Sequence, residues 1–265
     1  MAAEPYSLGV AAYAALFPRP EAELAALCAA LGPGAGRRLV DLGAGLGVSA
    51  LGLAASGWQV LAVEPDPEMA AGLGTRLALT PDLQDRVALL PSSTGLRAGQ
   101  ADAVLCQSVL HLLSANAQHA LLTEAARLLR PGGTLWIEAP FLSPTRQAIA
   151  WERVGRCTLG TCRVEHHRAM QIDLKPDPET GTEAWTTDWR FELWQDARLL
   201  HEISRRYRWA PLSFQGLARA TRAAGLHGLA VWADWAGRTP FDPAQASYGF
   251  ARCHRPHPDP ESPVP

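Results

Sequence analysis

The chain has 265 residues, of which 48% are hydrophobic and 19% charged, and its formal net charge at pH 7 is −2. This size and composition predict one large α/β domain with a sizeable core and room for an insertion. The small net charge removes any overall electrostatic case for binding nucleic acid or an anionic membrane, and no segment has the apolar length that spans a bilayer.

The basic and sulfur-containing residues narrow the chemistry further. Lys175 is the only lysine, which disfavours lysine-based covalent chemistry such as a Schiff base. The five cysteines are odd in number and scattered, which predicts reduced thiols and a cytoplasmic protein. The apolar run from Leu8 to Phe17 has no basic region before it, so we expect no signal peptide.

The first 140 residues alternate predicted helices and strands. A helix is predicted over Glu21–Leu31, with apolar residues on one face. Five apolar strand segments follow, separated by helices predicted over residues 46–55, 67–79 and 118–129; the strands are RRLVDL, WQVLAVE, RVALL, ADAVLC and GTLWIEA. Apolar strands in alternation with helices predict a mostly parallel, doubly wound α/β sheet that is covered on both faces.

The pattern changes after Pro140. Alternation with a period of two over Thr161–Trp209 predicts an antiparallel meander of three strands. One face of its first strand carries Val164, His166, Arg168, Met170, Ile172 and Leu174. A helix over residues 213–225 and strands over 226–235 and 247–254 then bring the main sheet to seven strands.

These patterns divide the chain into four predicted segments. Residues 1–140 form an N-terminal helical segment and the ligand-binding half of the α/β domain. Residues 141–210 form the antiparallel β insertion, which we expect to act as a lid or substrate region. Residues 211–255 complete the sheet, and the proline-rich residues 256–265 are expected to form a disordered tail.

The segment LVDLGAGLGVSALGLA joins the first strand to a helix through three alternating glycines, Gly43, Gly45 and Gly47. Open α/β sheets bind ligands beyond the carboxyl ends of their strands, and glycine lets a ligand lie against the backbone. A dinucleotide site has the spacing G-x-G-x-x-G/A, whereas Val48 stands at the third position here. Asp41 would repel a phosphate and suits a ligand that carries an ammonium group. Both residues argue against an NAD-dependent enzyme, which is kept as an alternative.

The second strand ends at Glu64, nineteen residues after Gly45. A carboxylate at this position accepts hydrogen bonds from the two hydroxyls of a ribose. Together with Asp41, it fits a ligand in which an amino acid is joined to a nucleoside. That description fits S-adenosylmethionine.

With these motifs the chain resembles the class I S-adenosylmethionine-dependent methyltransferases that act on small molecules. VDLGAGLG is similar to the first motif of that family, LAVEPDPEM to the second, ADAVLCQSVLHLL to the fourth-strand motif and LLRPGGTLWIEA to the fifth. The resemblance covers Arg37–Pro140 well and Ser213–His254 loosely, and it leaves out the insertion. It implies a Rossmann-like methyltransferase fold, S-adenosyl-L-methionine as cofactor and in-line methyl transfer to a small organic acceptor.

The resemblance also implies roles for individual residues in cofactor binding. Glu64 would bind the ribose, Gln107 the methionine end, and Met69 the face of the adenine, although a helical methionine is equally typical of a core. The family often has an aspartate after the third strand for the adenine amino group, where this chain has Ser92, Ser93 and Thr94. The full predicted cofactor set is Asp41, Gly43, Ala44, Gly45, Glu64, Pro65, Met69, Ser93, Thr94 and Gln107.

His111 is the candidate general base, because an imidazole titrates near neutral pH, and a packing role is its alternative. Candidate acceptor-binding residues come from the insertion and from a predicted N-terminal lid, and they are Tyr13, Trp151, His166 and Arg168. Seven of the nine tryptophans lie between Trp151 and Trp235, which indicates either an apolar core or an aromatic pocket for the acceptor.

We expect no metal site. The spacing of the candidate ligands is poor for tetrahedral zinc, because adjacent histidines on a strand point to opposite faces; these ligands are Cys157, Cys162, His166 and His167.

Nucleic acid is not an expected partner. Residues 141–209 contain eleven basic and ten acidic residues, so the insertion is no basic patch. The chain also lacks the Asn/Asp-Pro-Pro-aromatic sequence of methyltransferases that act on base amines and the Pro-Cys nucleophile of cytosine C5 enzymes. A small-molecule substrate is favoured. The alternative from another class is a non-catalytic cofactor-binding or scaffold protein, with the insertion as a partner or homodimer surface.

Overall fold

The computed structural model of the protein describes residues 10–141, 147–173, 184–209, 212–242, 244–246 and 248–257. The chain divides into two compact units. The first, called the α/β unit here, consists of Glu21–Pro144 and Leu212–Pro265, and the second, called the β unit, consists of Met1–Pro20 and Thr145–Pro211.

The described residues form six α-helices and eleven β-strands. The elements up to the end of the first five strands are α1 (Val10–Leu16), α2 (Glu21–Leu31), β1 (Arg38–Leu42), α3 (Val48–Ala55), β2 (Gln59–Val63), α4 (Pro67–Ala78), β3 (Val87–Leu90), β4 (Ala101–Gln107), α5 (Ala115–Leu128) and β5 (Leu129–Pro140). The remaining ones are β6 (Ile149–Leu159), β7 (Cys162–Asp173), β8 (Ala184–Gln195), β9 (Arg198–Trp209), α6 (Phe214–Ala223), β10 (His227–Trp232) and β11 (Tyr248–His254).

The α/β unit contains a seven-stranded sheet in the order β10-β11-β5-β4-β1-β2-β3. Strands β1 to β5 run parallel, and β11 pairs antiparallel with both β5 and β10. The sheet is covered on both faces by two separate apolar clusters, to which successive β1 residues Leu39 and Val40 contribute in turn. The predicted fold class, a mostly parallel doubly wound sheet with an antiparallel insertion, is confirmed.

Side-chain caps fix the ends of the helices in this unit. Asp66 caps α4 by accepting hydrogen bonds from the backbone N–H groups of Glu68 and Met69, both at 2.9 Å. Ser213 caps α6 in the same way through the N–H of Gly216 at 2.9 Å, as its position in the sequence predicts. Ser114 caps α5, so this helix begins at Ala115, three residues before the predicted start at Gln118.

The β unit contains a four-stranded antiparallel sheet in the order β6-β7-β8-β9. The three strands predicted over Thr161–Trp209 are confirmed as β7, β8 and β9, and the sheet has a fourth strand, β6, that was not predicted. Strand β6 was missed because it is an edge strand with mostly exposed residues, so its sequence lacks the alternation of a half-buried strand. Helix α1 also belongs to this unit. Leu174 and the predicted turn KPDPETG lie outside the described residues.

Two further findings bear on the sequence predictions. Within the described ranges, no helix combines the length and apolarity that a membrane crossing requires.

Of the predicted C-terminal tail, residues 258–265 lie outside the described part of the chain. Just before it, the Arg255 guanidinium donates to the backbone oxygens of Leu129 and Ala126 at 2.6 and 3.2 Å.

Candidate active site

The glycine turn lies between β1 and α3, at the carboxyl edge of the parallel strands. Its three glycines have positive φ angles of 78°, 56° and 72° at Gly43, Gly45 and Gly47. The backbone N–H groups of Gly43 and Ala44 both donate to the Val63 oxygen of β2, at 2.8 and 3.0 Å. This turn lies where the strand order reverses, since β1 is flanked by β2 and β4, and such points bind ligands in open α/β sheets.

The three glycines are required for different reasons. A Cβ on Gly43 would collide with Val109, and one on Gly47 would collide with Leu73. The lack of a side chain at these two glycines therefore lets Val109 and Leu73 pack closely against the turn. At Gly45 no heavy atom of the described residues lies within 4 Å of the position that a Cβ would take. The turn therefore presents bare backbone to open space at Gly45, as a ligand that lies against it requires.

The carboxylate of Glu64 joins the glycine turn to the end of β2. Its Oε2 accepts a hydrogen bond from the Gly45 N–H at 2.6 Å, and its Oε1 accepts one from the Asp66 N–H at 2.9 Å. Burial raises the pKa of Glu64 above its usual value of 4.5, against the two backbone hydrogen bonds that lower it. Each carboxylate oxygen has a second lone pair, so the group can still accept hydroxyl donors such as those of a ribose.

Asp41 supplies a second carboxylate at the same edge of the sheet. It lies on β1, pairs in register with Leu105 of β4, and is only 2% exposed. Burial, together with the charge of Asp41, raises the pKa of the Cys106 thiol to about 12. Cys106 is therefore a protonated thiol near neutral pH. Contact of Asp41 with a ligand ammonium stays a prediction.

A third carboxylate, Glu138 on β5, was missed in the sequence. Its Oε2 accepts a hydrogen bond from Gln107 Nε2 at 2.9 Å, and its Oε1 lies 3.4 Å from the hydroxyl of Ser108. Ser108 has a positive φ of 54° and donates its N–H to the Glu138 backbone oxygen at 2.8 Å. Glu138 thus orients the amide of Gln107 through the amide nitrogen. The sequence signal that could have identified Glu138 is an acidic residue near the end of an apolar strand, as at Asp41.

His111 lies in the short 3-10 turn Leu110–Leu112 after β4 and is 3% exposed. Burial lowers the pKa of this histidine to about 4. The ring is therefore neutral at pH 7, and it accepts a proton less readily than an ordinary histidine does. A general-base role stays a prediction, with a pKa far from the value near 7 that makes such catalysis efficient.

The residues predicted to surround the adenine are spread around the ends of β2 and β3. Pro65 is exposed, whereas Met69 is 1% exposed on α4, as a core methionine would be. Arg127 holds the pKa of Glu124 below its usual range, and the hydroxyl of Ser93 adds a second hydrogen bond to that carboxylate. Thr94 is exposed and donates its N–H to the Ser92 hydroxyl at 3.3 Å. Adenine contacts by these residues stay predictions.

The β unit holds the four predicted acceptor-binding residues in two places. Phe17 links Tyr13 and His166, with its ring centroid 5.0 Å from the Tyr13 ring and 5.3 Å from the His166 ring. Arg168 is on the same face of β7 as His166. Trp151 is 49% exposed. Its ring centroid lies 4.9 Å from the guanidinium carbon of Arg190, and Arg190 projects from the face of the sheet opposite to His166. The structure therefore does not bring Trp151 together with His166.

His167 faces away from His166, as adjacent residues on a strand must. Its Nε2 lies 3.6 Å from Glu165 and 3.5 Å from Glu192, and donor atoms of these three residues lie within 4.8 Å of one another. Guanidinium groups already compensate both carboxylates, from Arg163 at 3.0 Å on Glu165 and from Arg190 at 3.0 Å on Glu192. The cluster is an ion-pair network in which arginines supply the charge that a metal ion would bring.

Comparison with known proteins assigns the α/β unit. Residues 40–137 match the family model described as a methyltransferase domain. This part of the chain therefore resembles a methyltransferase domain. The family resemblance that the sequence motifs predict is thereby confirmed for this part of the chain, which includes Asp41, Glu64, Gln107 and His111. Glu138 lies one residue beyond the matched range.

A curated relative supports the same assignment of the methyltransferase domain. An uncharacterized methyltransferase of Mycobacterium tuberculosis is 38% identical over 103 residues, which are 39% of this chain and 40% of that protein. The aligned region of the chain therefore spans about 40% of the length of the first curated relatives it matches.

Solved structures resemble the chain over most of its length. The CcbJ methyltransferase of Streptomyces caelestis has a TM-score of 0.70 and 24% identity, over 90% of this chain and 91% of that one. An amino pentose methyltransferase of Micromonospora echinaspora, CalS10, has a TM-score of 0.62 and 20% identity, over 88% of both chains, and its structure has S-adenosylmethionine bound. At these identities the likeness establishes the fold.

Proposed function

We propose that this protein transfers the methyl group of S-adenosylmethionine to a small organic acceptor. One contact carries the proposal, the hydrogen bond of 2.6 Å between the Gly45 N–H and Glu64 Oε2. It joins the bare glycine turn to the acid predicted to bind ribose, and the buried carboxylate of Asp41 lies on β1, the strand that precedes the turn. The methyltransferase domain match and the S-adenosylmethionine bound to a structural neighbour support this cofactor over NAD.

The donor set of the α/β unit fits this cofactor part by part. Asp41 would accept the ammonium group, Glu64 the ribose hydroxyls, and the Gln107 amide oxygen a donor at the methionine end. Gly43, Ala44 and Gly45 present backbone to the ligand, and Pro65, Met69, Ser93 and Thr94 stay proposed neighbours of the adenine. Such a donor set binds an ammonium and a diol and offers no cation for a pyrophosphate.

The chain's own residues then orient the reactants and exclude water. When bound, the cofactor supplies a methyl group that its sulfonium already activates, so alignment of the acceptor accounts for most of the catalysis. A base is needed only where the acceptor must lose a proton early. His111 is the proposed base for that case, and no other step depends on it.

The acceptor is proposed to be a small molecule bound with the help of the β unit, through Tyr13, His166 and Arg168; Trp151 lies against Arg190 on the opposite face and is left out of this proposal. The amino pentose named as the substrate class of CalS10 supports an acceptor of this size. Nucleic acid and membrane partners are not proposed. The five cysteines are all unpaired, which supports the proposed cytoplasmic location. A homodimer through the β unit stays a proposal that light scattering tests.

The proposed function is tested by transfer of tritium from methyl-labelled S-adenosylmethionine to a panel of amino sugars, phenols and carboxylic acids. We expect label in at least one acceptor, and we expect Glu64→Gln to abolish it. Glu68→Gln is the matched control, because Glu68 is an exposed acid four residues away on α4. Cofactor binding without transfer to any acceptor would favour the alternative of a non-catalytic binding protein.

A further inference from the structure

One face of the β unit buries hydrogen-bonding atoms that lack partners among the described residues. This aromatic face is formed by side chains of β7, β8 and β9 and by Phe17 after α1. The atoms are His166 Nε2, Arg168 Nε, Trp189 Nε1 and Tyr207 Oη. His166 is 3% exposed. Buried polar atoms in native proteins are nearly always hydrogen-bonded, so four such atoms on one face call for an explanation.

The four atoms belong to neighbouring residues around Trp189. Its ring centroid lies 4.8 Å from that of His166 and 4.9 Å from that of Tyr207. Arg168 is its direct cross-strand neighbour on β7. Phe17 stacks on Trp189 at 5.5 Å. The residues that carry the unsatisfied atoms are therefore neighbours, and their rings form flat aromatic surface.

The opposite face of the same sheet differs because carboxylates lie beside its buried nitrogens. There, Trp194 on β8 donates its Nε1–H to Glu192 at 3.0 Å. Three nitrogens of that face, in Arg163, His167 and Arg190, also make no hydrogen bond, but they lie 3.0 to 3.6 Å from the carboxylates of Glu165 and Glu192. On the aromatic face, Glu152 accepts a hydrogen bond from Arg168 Nη2 at 2.7 Å, whereas the four atoms named above have no hydrogen-bond partner among the described residues.

The chemistry of the open group selects its ligand. Arg168 Nε–H and Trp189 Nε1–H are donors only. Burial raises the pKa of Tyr207 to about 12, so its hydroxyl stays a donor near neutral pH. Burial, with the positive charges of Arg168 and His167, lowers the pKa of His166 to about 4. Burial is the larger cause and disfavours a charge of either sign, so the preference for acceptor oxygens comes from the donors themselves, which are Arg168 Nε–H, Trp189 Nε1–H and the Tyr207 hydroxyl.

We propose that the aromatic face binds a flat ring that carries hydrogen-bond-accepting oxygens, above all a carboxylate, and no positive charge. Aromatic side chains with a few convergent polar groups are the usual lining of small-molecule sites. The inference rests on the proposed function in one respect, which is that the ligand of this face is the methyl acceptor. It names the class of that acceptor.

The test titrates 4-hydroxybenzoate into the full chain and follows binding by calorimetry and tryptophan fluorescence. 4-Hydroxybenzylamine is the matched probe, because it has the same ring and hydroxyl with an ammonium in place of the carboxylate. The variants are Tyr207→Phe, which removes one donor and keeps the ring, and Trp189→Phe, which removes one donor and leaves a smaller aromatic ring. Trp194→Phe, on the opposite face of β8, is the control. Circular dichroism checks that each variant folds.

We expect 4-hydroxybenzoate to bind at least tenfold more tightly than the amine, with a loss of about five- to tenfold in each donor variant. Trp194→Phe should leave the affinity unchanged. The proposal is overturned if 4-hydroxybenzoate does not bind up to about 10 mM, if both probes bind equally, or if Trp194→Phe weakens binding as much as Tyr207→Phe.

S-adenosylhomocysteine is titrated into the same samples to separate the two proposals. If it binds and 4-hydroxybenzoate does not, the inference about the aromatic face is wrong and the proposed cofactor stands. If it fails to bind, the proposed function is wrong, and binding of 4-hydroxybenzoate then reports on the aromatic face alone.

Discussion

The two units of this protein carry their ligand chemistry in different parts of the chain. In the α/β unit it lies at strand ends, in a glycine turn and in carboxylates at the end of β1, β2 and β5. In the β unit it lies along one face of a sheet, in side chains of Trp189 and its neighbours. Each strand-end group stands in a short local motif, and the glycine turn, Asp41 and Glu64 lie within the range that matches a family model. The residues of the sheet face alternate with unrelated residues, so they have to be identified in the three-dimensional structure.

The largest expected effect comes from the carboxylates of the α/β unit. Asp41→Ala and Glu64→Ala should each weaken binding of S-adenosylhomocysteine by more than about 100-fold, because each removes a buried charge-assisted partner of the ligand. Glu68→Ala should leave the affinity unchanged. Calorimetry measures the binding, and thermal unfolding monitors the fold. Retained affinity in either variant would break the assignment of the strand-end site.

Acid sensitivity should be shared by both units. His111 in the α/β unit and His166 in the β unit have pKa values of about 4, against an ordinary 6.5. Between these values the unfolded chain binds more protons, so stability is full above about pH 6.5 and is lost as the pH falls toward 4. Each histidine should lower the free energy of unfolding by about 2 kcal/mol between pH 7 and pH 4.5.

Urea unfolding at the two pH values checks this prediction. His111→Gln and His166→Gln should each reduce the difference in the free energy of unfolding between pH 7 and pH 4.5. Asp and Glu residues titrate in both variants as in the parent chain, so the parent serves as the control. A difference that neither substitution changes would mean that the two rings are not held neutral.

A smaller effect is expected at the glycine turn. Gly45→Ala should weaken S-adenosylhomocysteine binding by about tenfold, because φ is +56° there and the new Cβ would enter the space left for the ligand. Gly74→Ala on α4 also adds a Cβ to open space, but in a helix, so binding should not change and stability should rise by about 0.5–1 kcal/mol. Equal affinities in the two variants would show that Gly45 does not face the ligand.

The smallest predicted change tests Glu138. Glu138→Gln keeps the shape of the side chain and should lower S-adenosylhomocysteine affinity by about three- to fivefold, since the amide of Gln107 loses a charged partner. A loss as large as that of Glu64→Ala would mean that Glu138 contacts the ligand itself. An unchanged affinity would remove it from the site. The same titration resolves all three outcomes.

What the sequence predicted differs between the units for physical reasons. The bounds of α2 and the positions of the glycine turn after β1 and of Glu64 after β2 were predictable, because helical periodicity and the spacing of a strand-turn-helix are local in sequence. Strand β6 was not, because its edge position exposes most of its side chains. Glu138 was missed as a site residue, since its partners Gln107 and Ser108 lie about thirty residues away.

The central claim is that the α/β unit binds S-adenosylmethionine, and calorimetric titration of the full chain with S-adenosylhomocysteine tests it most directly. NADH is the control ligand, because the same sheet topology binds dinucleotides in other proteins. We expect a Kd in the micromolar range for S-adenosylhomocysteine and no heat from NADH. Binding of NADH, or of neither ligand, would contradict the claim.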